Sequence, residues 1–220
     1  MDSIAKILLS FGLVIGMAIT GLNALGTSPP QKESQEAARG DSSSTEAKPK
    51  QQDKDFSPFV DKDGNIRRPK DYKIRWSHLG GFAVAKKEGA TVSEIHDVYT
   101  QPKNIDAFRR DGKFPDGAVL VKEVREASAD RLTTGHAAWS TKMKVWFVMV
   151  KDSKGRFPDN KAWGDGWGWA LFEAKEPDTN VATNYKTSCI GCHIPAKAND
   201  WIYVQGYPEL ETPAFGTSDK

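Results

Sequence analysis

The sequence predicts a mainly β (α+β) domain, a predominantly antiparallel sheet with short helices. Three observations carry this. Apolar, β-branched and aromatic runs of strand length recur from residue 92 to residue 174. Turn strings rich in Gly, Asp, Asn and Pro separate them. Only one stretch, residues 102–110, carries helical signals at both ends.

Taken in order, Asp61-Lys62-Asp63-Gly64-Asn65 reads as a turn, followed by Pro69-Lys70-Asp71-Tyr72. The turn resembles the start of a calcium loop, but the distal carboxylates of such a loop are missing. Residues 92–99 (VSEIHDVY) place β-branched and aromatic side chains near a two-residue period and read as a strand. Residues 102–110 (PKNIDAFRR) form a short helix, with proline near its start, arginines in its last turn and Gly112 beyond. A turn at Lys113-Phe114-Pro115-Asp116-Gly117 leads to a strand over residues 118–127 (AVLVKEVREA). Residues 144–150 (KVWFVMV) are a further strand, apolar on both faces, and Asp152-Ser153-Lys154-Gly155 turns the chain. Residues 167–174 (WGWALFEA) supply another, reached through Trp163-Gly164-Asp165-Gly166.

Residues 56–220 are one domain, large enough to build a core. The formal net charge is +2 with both signs interspersed, which gives no argument for nucleic acid. Residues 27–55 contain no aromatic residue and no Ile, Leu, Val or Met. With nothing to bury, they are expected to be a disordered linker spanning about 30 Å. Before them, residues 7–19 form an apolar run after Lys6, with Ala24-Leu25-Gly26 as a small-x-small cleavage site. Residues 1–26 fit a signal peptide, and the uncharged stretch is also long enough for an uncleaved membrane anchor. Either one exports the domain.

The chain has two cysteines, both in Cys189-Ile190-Gly191-Cys192-His193. C-x-x-C-H is the signature of covalent c-type haem attachment: each thiol adds across a haem vinyl group, and the histidine becomes the axial ligand. Two rival readings exist. A thioredoxin-like dithiol wants a βαβ context. A zinc site wants two more ligands at short spacing, and the next histidine, His136, is far upstream. The predicted cofactor is therefore one haem c, bound through Cys189 and Cys192 with His193 as the metal ligand. A small helical electron carrier does not fit the strand periodicity.

The string over residues 94–123, EIHDVYTQPKNIDAFRRDGKFPDGAVLVKE, is followed by VMVKDSKGRF and then by CIGCHIPAKANDWIYVQGYP. In this order the motifs resemble the cytochrome P-460 family and its relatives, the β-sheet cytochromes c′, over most of residues 76–208. The resemblance implies a periplasmic mono-haem protein on a five-stranded antiparallel sheet, commonly a homodimer, with a five-coordinate iron and an open distal site. Enzymes of the family oxidise hydroxylamine and pass electrons to another cytochrome. The cytochrome c′ relatives bind nitric oxide and other small gases without clear turnover.

In the cytochrome P-460 enzymes a lysine is cross-linked to the porphyrin, and the motif carries that lysine to Lys122. The residues agree: on a strand Lys122 shares a face with Leu120 and Val124. An amine in so apolar a segment is expected to be neutral and nucleophilic. The bland alternative is an edge-strand lysine whose head reaches water, and related proteins hold the lysine unlinked. His96 lies in the strand predicted over residues 92–99, where other members of the family place an arginine facing a haem propionate. It is a candidate catalytic base and, as the blander role, a propionate partner. Asn184 stands where some enzymes of the family have an acidic residue, and no carboxylate occurs between Asp178 and Cys189. That departure weakens the case for efficient hydroxylamine turnover and favours a gas-binding alternative. His78 and His136 read as ordinary hydrogen-bonding residues, and the tryptophans with Phe82, Phe114, Phe147 and Phe172 as core and pocket packing. Met143 and Met149 are the methionines that a plain electron carrier could use as a sixth ligand, with packing the expected role of Met149.

Overall fold

The structure is a computed structural model that describes residues 56–211. The expected leader and linker lie outside the described residues. Among those described, no helix is long and apolar enough to cross a membrane.

The opening turn closes on its own carboxylate. Asp61 accepts 2.9 Å hydrogen bonds from the backbone amides of Asp63 and Asn65 and from the Asn65 side chain. Its oxygens are thus spent on the turn, as expected for this string. A one-turn helix, α1 (Tyr72–Arg75), precedes β1 (Ser77–Val84). Strand β1 carries no strand signal of its own, because SHLGGFAV has two adjacent glycines and glycine is depleted in strands. Its register against β2 (Glu94–Thr100) slips between His78 and Gly80. Helix α2 (Pro102–Asp111) ends at Gly112, whose φ of 68° suits a residue without a Cβ.

Then come β3 (Val119–Leu132), β4 (Gly135–Lys151), β5 (Trp163–Gly164), β6 (Trp167–Glu173) and β7 (Glu176–Asn180). All pairings are antiparallel, in one seven-stranded sheet ordered β1-β2-β3-β4-β6-β5, with β7 also on β6. The mainly β expectation holds. The five longer strands are those expected in number, and β5 and β7 are short additions. Strands β3 and β4 run well past their predicted ends as a hairpin of mostly exposed residues.

The sheet buries both faces, as its apolar central strands require. On one face Val119, Val121, Val148, Val150, Ala170 and Phe172 pack against Ile66, Tyr72, Phe157 and Trp163. On the other, Val98, Leu120, Met149 and Trp169 join Phe114, Trp201, Ile202 and Tyr207. A fully buried side chain such as Phe172 contributes roughly 1.5–3 kcal/mol. The second layer comes from the C-terminal segment: α3 (Tyr185–Ser188), α4 (Ile190–His193) and 3₁₀ turns at Ile194–Asn199, Val204–Gly206 and Pro208–Leu210. It lies close on β1. A Cβ on Gly80 would stand 2.2 Å from the Gly206 carbonyl oxygen, and one on Gly206 would stand 2.3 Å from the Phe82 ring.

Candidate functional site

Strand alternation puts one row of residues across the sheet: Gly80, Val98, Lys122, Phe147 and Leu171, each paired with the next. Val98, Lys122, Phe147 and Leu171 of this row floor a cavity of about 640 Å³. Phe82, His96, Leu120, Met149 and Trp169 extend its wall, and Cys189, Cys192, His193, Ile202, Tyr203 and Tyr207 of the C-terminal segment complete it.

Lys122 is on an interior strand, so it is not an edge-strand lysine reaching for water. Its Nζ lies 4.4 Å from the centre of the Phe147 ring. Among the described residues it has no hydrogen-bond or ion-pair partner. Burial lowers its pKa below the ordinary lysine value, against smaller opposing effects of Cys192, Cys189 and Glu94.

The haem-attachment string forms α4 and the residue before it. Cys189 is buried and Cys192 exposed, both as free thiols. Burial, with the neighbouring Cys192, pushes the Cys189 thiol up to about 11. The Cys192 carbonyl accepts a 2.5 Å hydrogen bond from the Tyr203 hydroxyl. Nδ1 of His193 donates to the Trp201 carbonyl at 2.7 Å, which leaves Nε2 free as a ligand atom. Burial lowers the His193 pKa, partly offset by that hydrogen bond, and Lys122 lowers it further. The Trp169 ring meets His193 edge-on, 4.9 Å between centroids.

His96 lines the cavity with Nε2 3.1 Å from Glu94 Oε2, and the other oxygen of Glu94 pairs with Lys144. The histidine pKa is lowered, first by burial and then by the charges of Lys122 and Lys144, against the opposing pull of Glu94. A neutral His96 that donates from Nε2 to a carboxylate keeps Nδ1 as an acceptor.

The other candidates lie elsewhere. Asn184 caps α3, its side chain accepting from the Lys186 amide at 3.1 Å, and it does not line the cavity. His78 pairs with Asp97 at 2.9 Å, and His136 is exposed on the β3–β4 hairpin. Of the four phenylalanines, Phe82 and Phe147 line the cavity, while Phe114 and Phe172 are core. Met149 lines the cavity beside Trp169 and so stands on the His193 side of it. The sequence did not single out the Trp201 carbonyl or Tyr203, which no side-chain motif marks.

The donor set fits a haem c: two thiols and an imidazole at one wall of an otherwise mostly apolar cavity of cofactor size. It does not fit the rival readings. Among the described residues no three His, Cys, Asp or Glu side chains converge as a metal cluster, and 3₁₀ turns rather than a strand follow the motif.

An antiparallel sheet facing a C-x-x-C-H segment across such a cavity defines a β-sheet cytochrome of the c type. A family model described as Cytochrome P460 matches residues 69–204, and the chain belongs to that family. It is accordingly a c-type haem protein. None of the curated proteins compared with the chain matches it.

Proposed function

We propose that this protein is a periplasmic mono-haem oxidoreductase that oxidises hydroxylamine, or acts on nitric oxide, and passes electrons to another cytochrome. Thioethers at Cys189 and Cys192 hold the haem, and His193 ligates its iron. One observation carries the proposal: Lys122, without a hydrogen-bond or ion-pair partner among the described residues, and His96, with one nitrogen unbonded among them, share a mostly apolar cavity with the attachment string. A bound haem c supplies electron relay and a coordination position for a small nitrogenous molecule.

The chain's own residues do the rest. Lys122, desolvated and nucleophilic, would supply the amine of a porphyrin cross-link, whose N–C bond would replace an N–H and a C–H as two electrons and two protons pass to an external two-electron oxidant. Phe147 stands against the Lys122 amine, and Phe82 lines the same cavity beside His96. Oxidation of hydroxylamine releases protons with electrons; His96 Nδ1 accepts one, and Glu94 stabilises the imidazolium that results. Residues 1–26 export the domain or anchor it, and the folded part is expected to act as a homodimer.

Steady-state oxidation of hydroxylamine with an electron acceptor tests the activity. Intact-protein mass spectrometry tests the cross-link, since a haem released by thioether cleavage alone rules it out. A second reading, a non-catalytic nitric-oxide-binding protein of the cytochrome c′ kind, is favoured by one observation: no carboxylate lines the cavity among the described residues. It predicts tight nitric oxide binding, no hydroxylamine turnover and an ordinary five-coordinate ferrous spectrum. A plain electron carrier needs a sixth ligand opposite His193. Met149, on the His193 side, is poorly placed for that.

A further inference from the structure

We propose that the ion pair between Lys151 and Asp200 is a positioning device for His193: it holds the Trp201 carbonyl against Nδ1 of the ring and so sets how strongly the imidazole donates to iron. This rests on the axial role of His193 given above.

The backbone after the attachment string is strained where it meets the ligand. Asp200 and Trp201 have φ of 57° and 68°, two consecutive residues in the left-handed region. Aspartate tolerates that region, but a bulky tryptophan adopts it only when its surroundings impose it. Three contacts impose it here. The Asp200 carboxylate takes Lys151 Nζ on both oxygens, at 2.6 and 2.8 Å. The Trp167 indole donates to the Asp200 carbonyl at 3.0 Å, and the Trp201 amide donates to the Ala196 carbonyl at 3.0 Å. The next carbonyl along, that of Trp201, is the one that accepts from His193.

Lys151 is a costly choice for this place. It closes β4, its residue is 8 % exposed, and its Nζ lies 4.8 Å from the Trp167 ring centre. Its neighbour Asp152 is engaged by Arg156 at 2.7 Å and by the amides of Lys154 and Arg156. That leaves Asp200 as the carboxylate that Lys151 holds. The ammonium holds both oxygens of the Asp200 carboxylate at 2.6 and 2.8 Å, a charge-assisted anchor that packing by an apolar residue would not supply. A shorter bond from Nδ1 to a carbonyl makes the imidazole more basic, strengthens its bond to iron and favours the ferric state.

The test uses the haem-loaded protein, with the iron–histidine stretching band read by resonance Raman on natural and ⁵⁷Fe samples, and the midpoint potential measured by spectroelectrochemistry. Asp200→Asn keeps a residue that tolerates the left-handed region but removes the charge. Lys151→Met keeps the stem and removes the ammonium. Each is expected to move the band to lower wavenumber and the potential upward, and the double variant is expected to match either single one, because both break one contact. A wild-type band and potential in these variants overturns the proposal. Should Lys151→Met not load haem, Asp200→Asn alone decides it; should Asp200→Asn not, Lys151→Gln reads the contact from the other end. The axial reading fails separately: His193→Gly that retains the wild-type band shows that the iron has another ligand.

Discussion

Lys122 and Glu123 are consecutive in β3 and face opposite sides of the sheet, the first without a hydrogen-bond or ion-pair partner among the described residues and the second with three. Glu123 is 2 % exposed. It accepts a 2.6 Å hydrogen bond from the Tyr72 hydroxyl and pairs with Lys73 at 2.8 Å and Arg125 at 3.1 Å. Lys122 points into the cavity over Phe147. The two-residue period of a strand thus separates a bare amine from a fully satisfied carboxylate in one step, so Glu123 cannot neutralise its neighbour. The carboxylate ties α1 to the sheet, and the amine is left for the cavity.

For Lys122 the expected outcome is a trade between stability and chemistry. Replacing a buried polar group that lacks a partner by an apolar one of similar volume removes a desolvation cost of about 1–3 kcal/mol. Lys122→Leu should therefore raise the denaturation midpoint of the haem-free protein. In the haem-loaded protein it should abolish the red-shifted Soret band expected of a cross-linked macrocycle. A band unchanged by the substitution would assign the shift to some other group.

Glu123 should behave in the opposite way. Burial pushes its carboxyl upward, but the hydrogen bonds from Lys73 and Tyr72 and the charges of Lys73 and Arg125 more than offset this, so its pKa lies below the usual 4.5. A lowered folded-state pKa contributes stability above the unfolded value and loses it as pH falls through the folded one. Glu123→Gln should cost about 2 kcal/mol at pH 7. The deficit should shrink on acidification below the ordinary carboxylate range. Urea titrations of both proteins at neutral and acid pH check this, and a deficit independent of pH would point to packing instead of charge.

The parts of this fold that were legible in the sequence are those with a buried face. Helix α2 is bracketed by Pro102 and Gly112, and the strands around Val98, Val121, Val148 and Ala170 present apolar residues to two cores. Strand β1 was hidden by Gly80 and Gly81, and the outer hairpin from Ser128 to Thr141 by its lack of any core to face. In the site, the attachment string is contiguous and could be read directly. Lys122 needed the strand period and a family resemblance together. The contact of Lys151 with Asp200 left no trace, since the partners lie 49 positions apart and left-handed backbone at Asp200 and Trp201 has no side-chain signature.

The C-terminal segment is held on β1 by close approach of two glycines, and this also gives a measurable consequence. A methyl group at Gly206 would stand 2.3 Å from the Phe82 ring, which lines the cavity. Gly206→Ala must therefore shift Phe82 or lift the segment, at a cost of about 1–3 kcal/mol. Thermal melts should show the loss. The haem-loaded variant should also bind small gaseous ligands with an altered rate, because the displaced ring borders their space. An unchanged rate would place Phe82 outside the ligand path.

His96 supplies the sharpest functional expectation. The groups that set its charge are Glu94 on its own strand, Lys122 on β3 and Lys144 on β4. Burial and the two lysines lower its pKa below the ordinary 6.5, so the imidazole is neutral at pH 7 and stays a proton acceptor somewhat below pH 6.5. If it takes a proton from hydroxylamine, the acid limb of the rate profile should lie below pH 6.5. His96→Gln should lower kcat by about 100-fold and flatten that limb. Glu94→Gln should retain the limb but move it lower, because the carboxylate that favours the imidazolium is gone. Steady-state profiles of the three proteins distinguish this from a haem-propionate partner, whose loss would change haem retention and leave the acid limb in place.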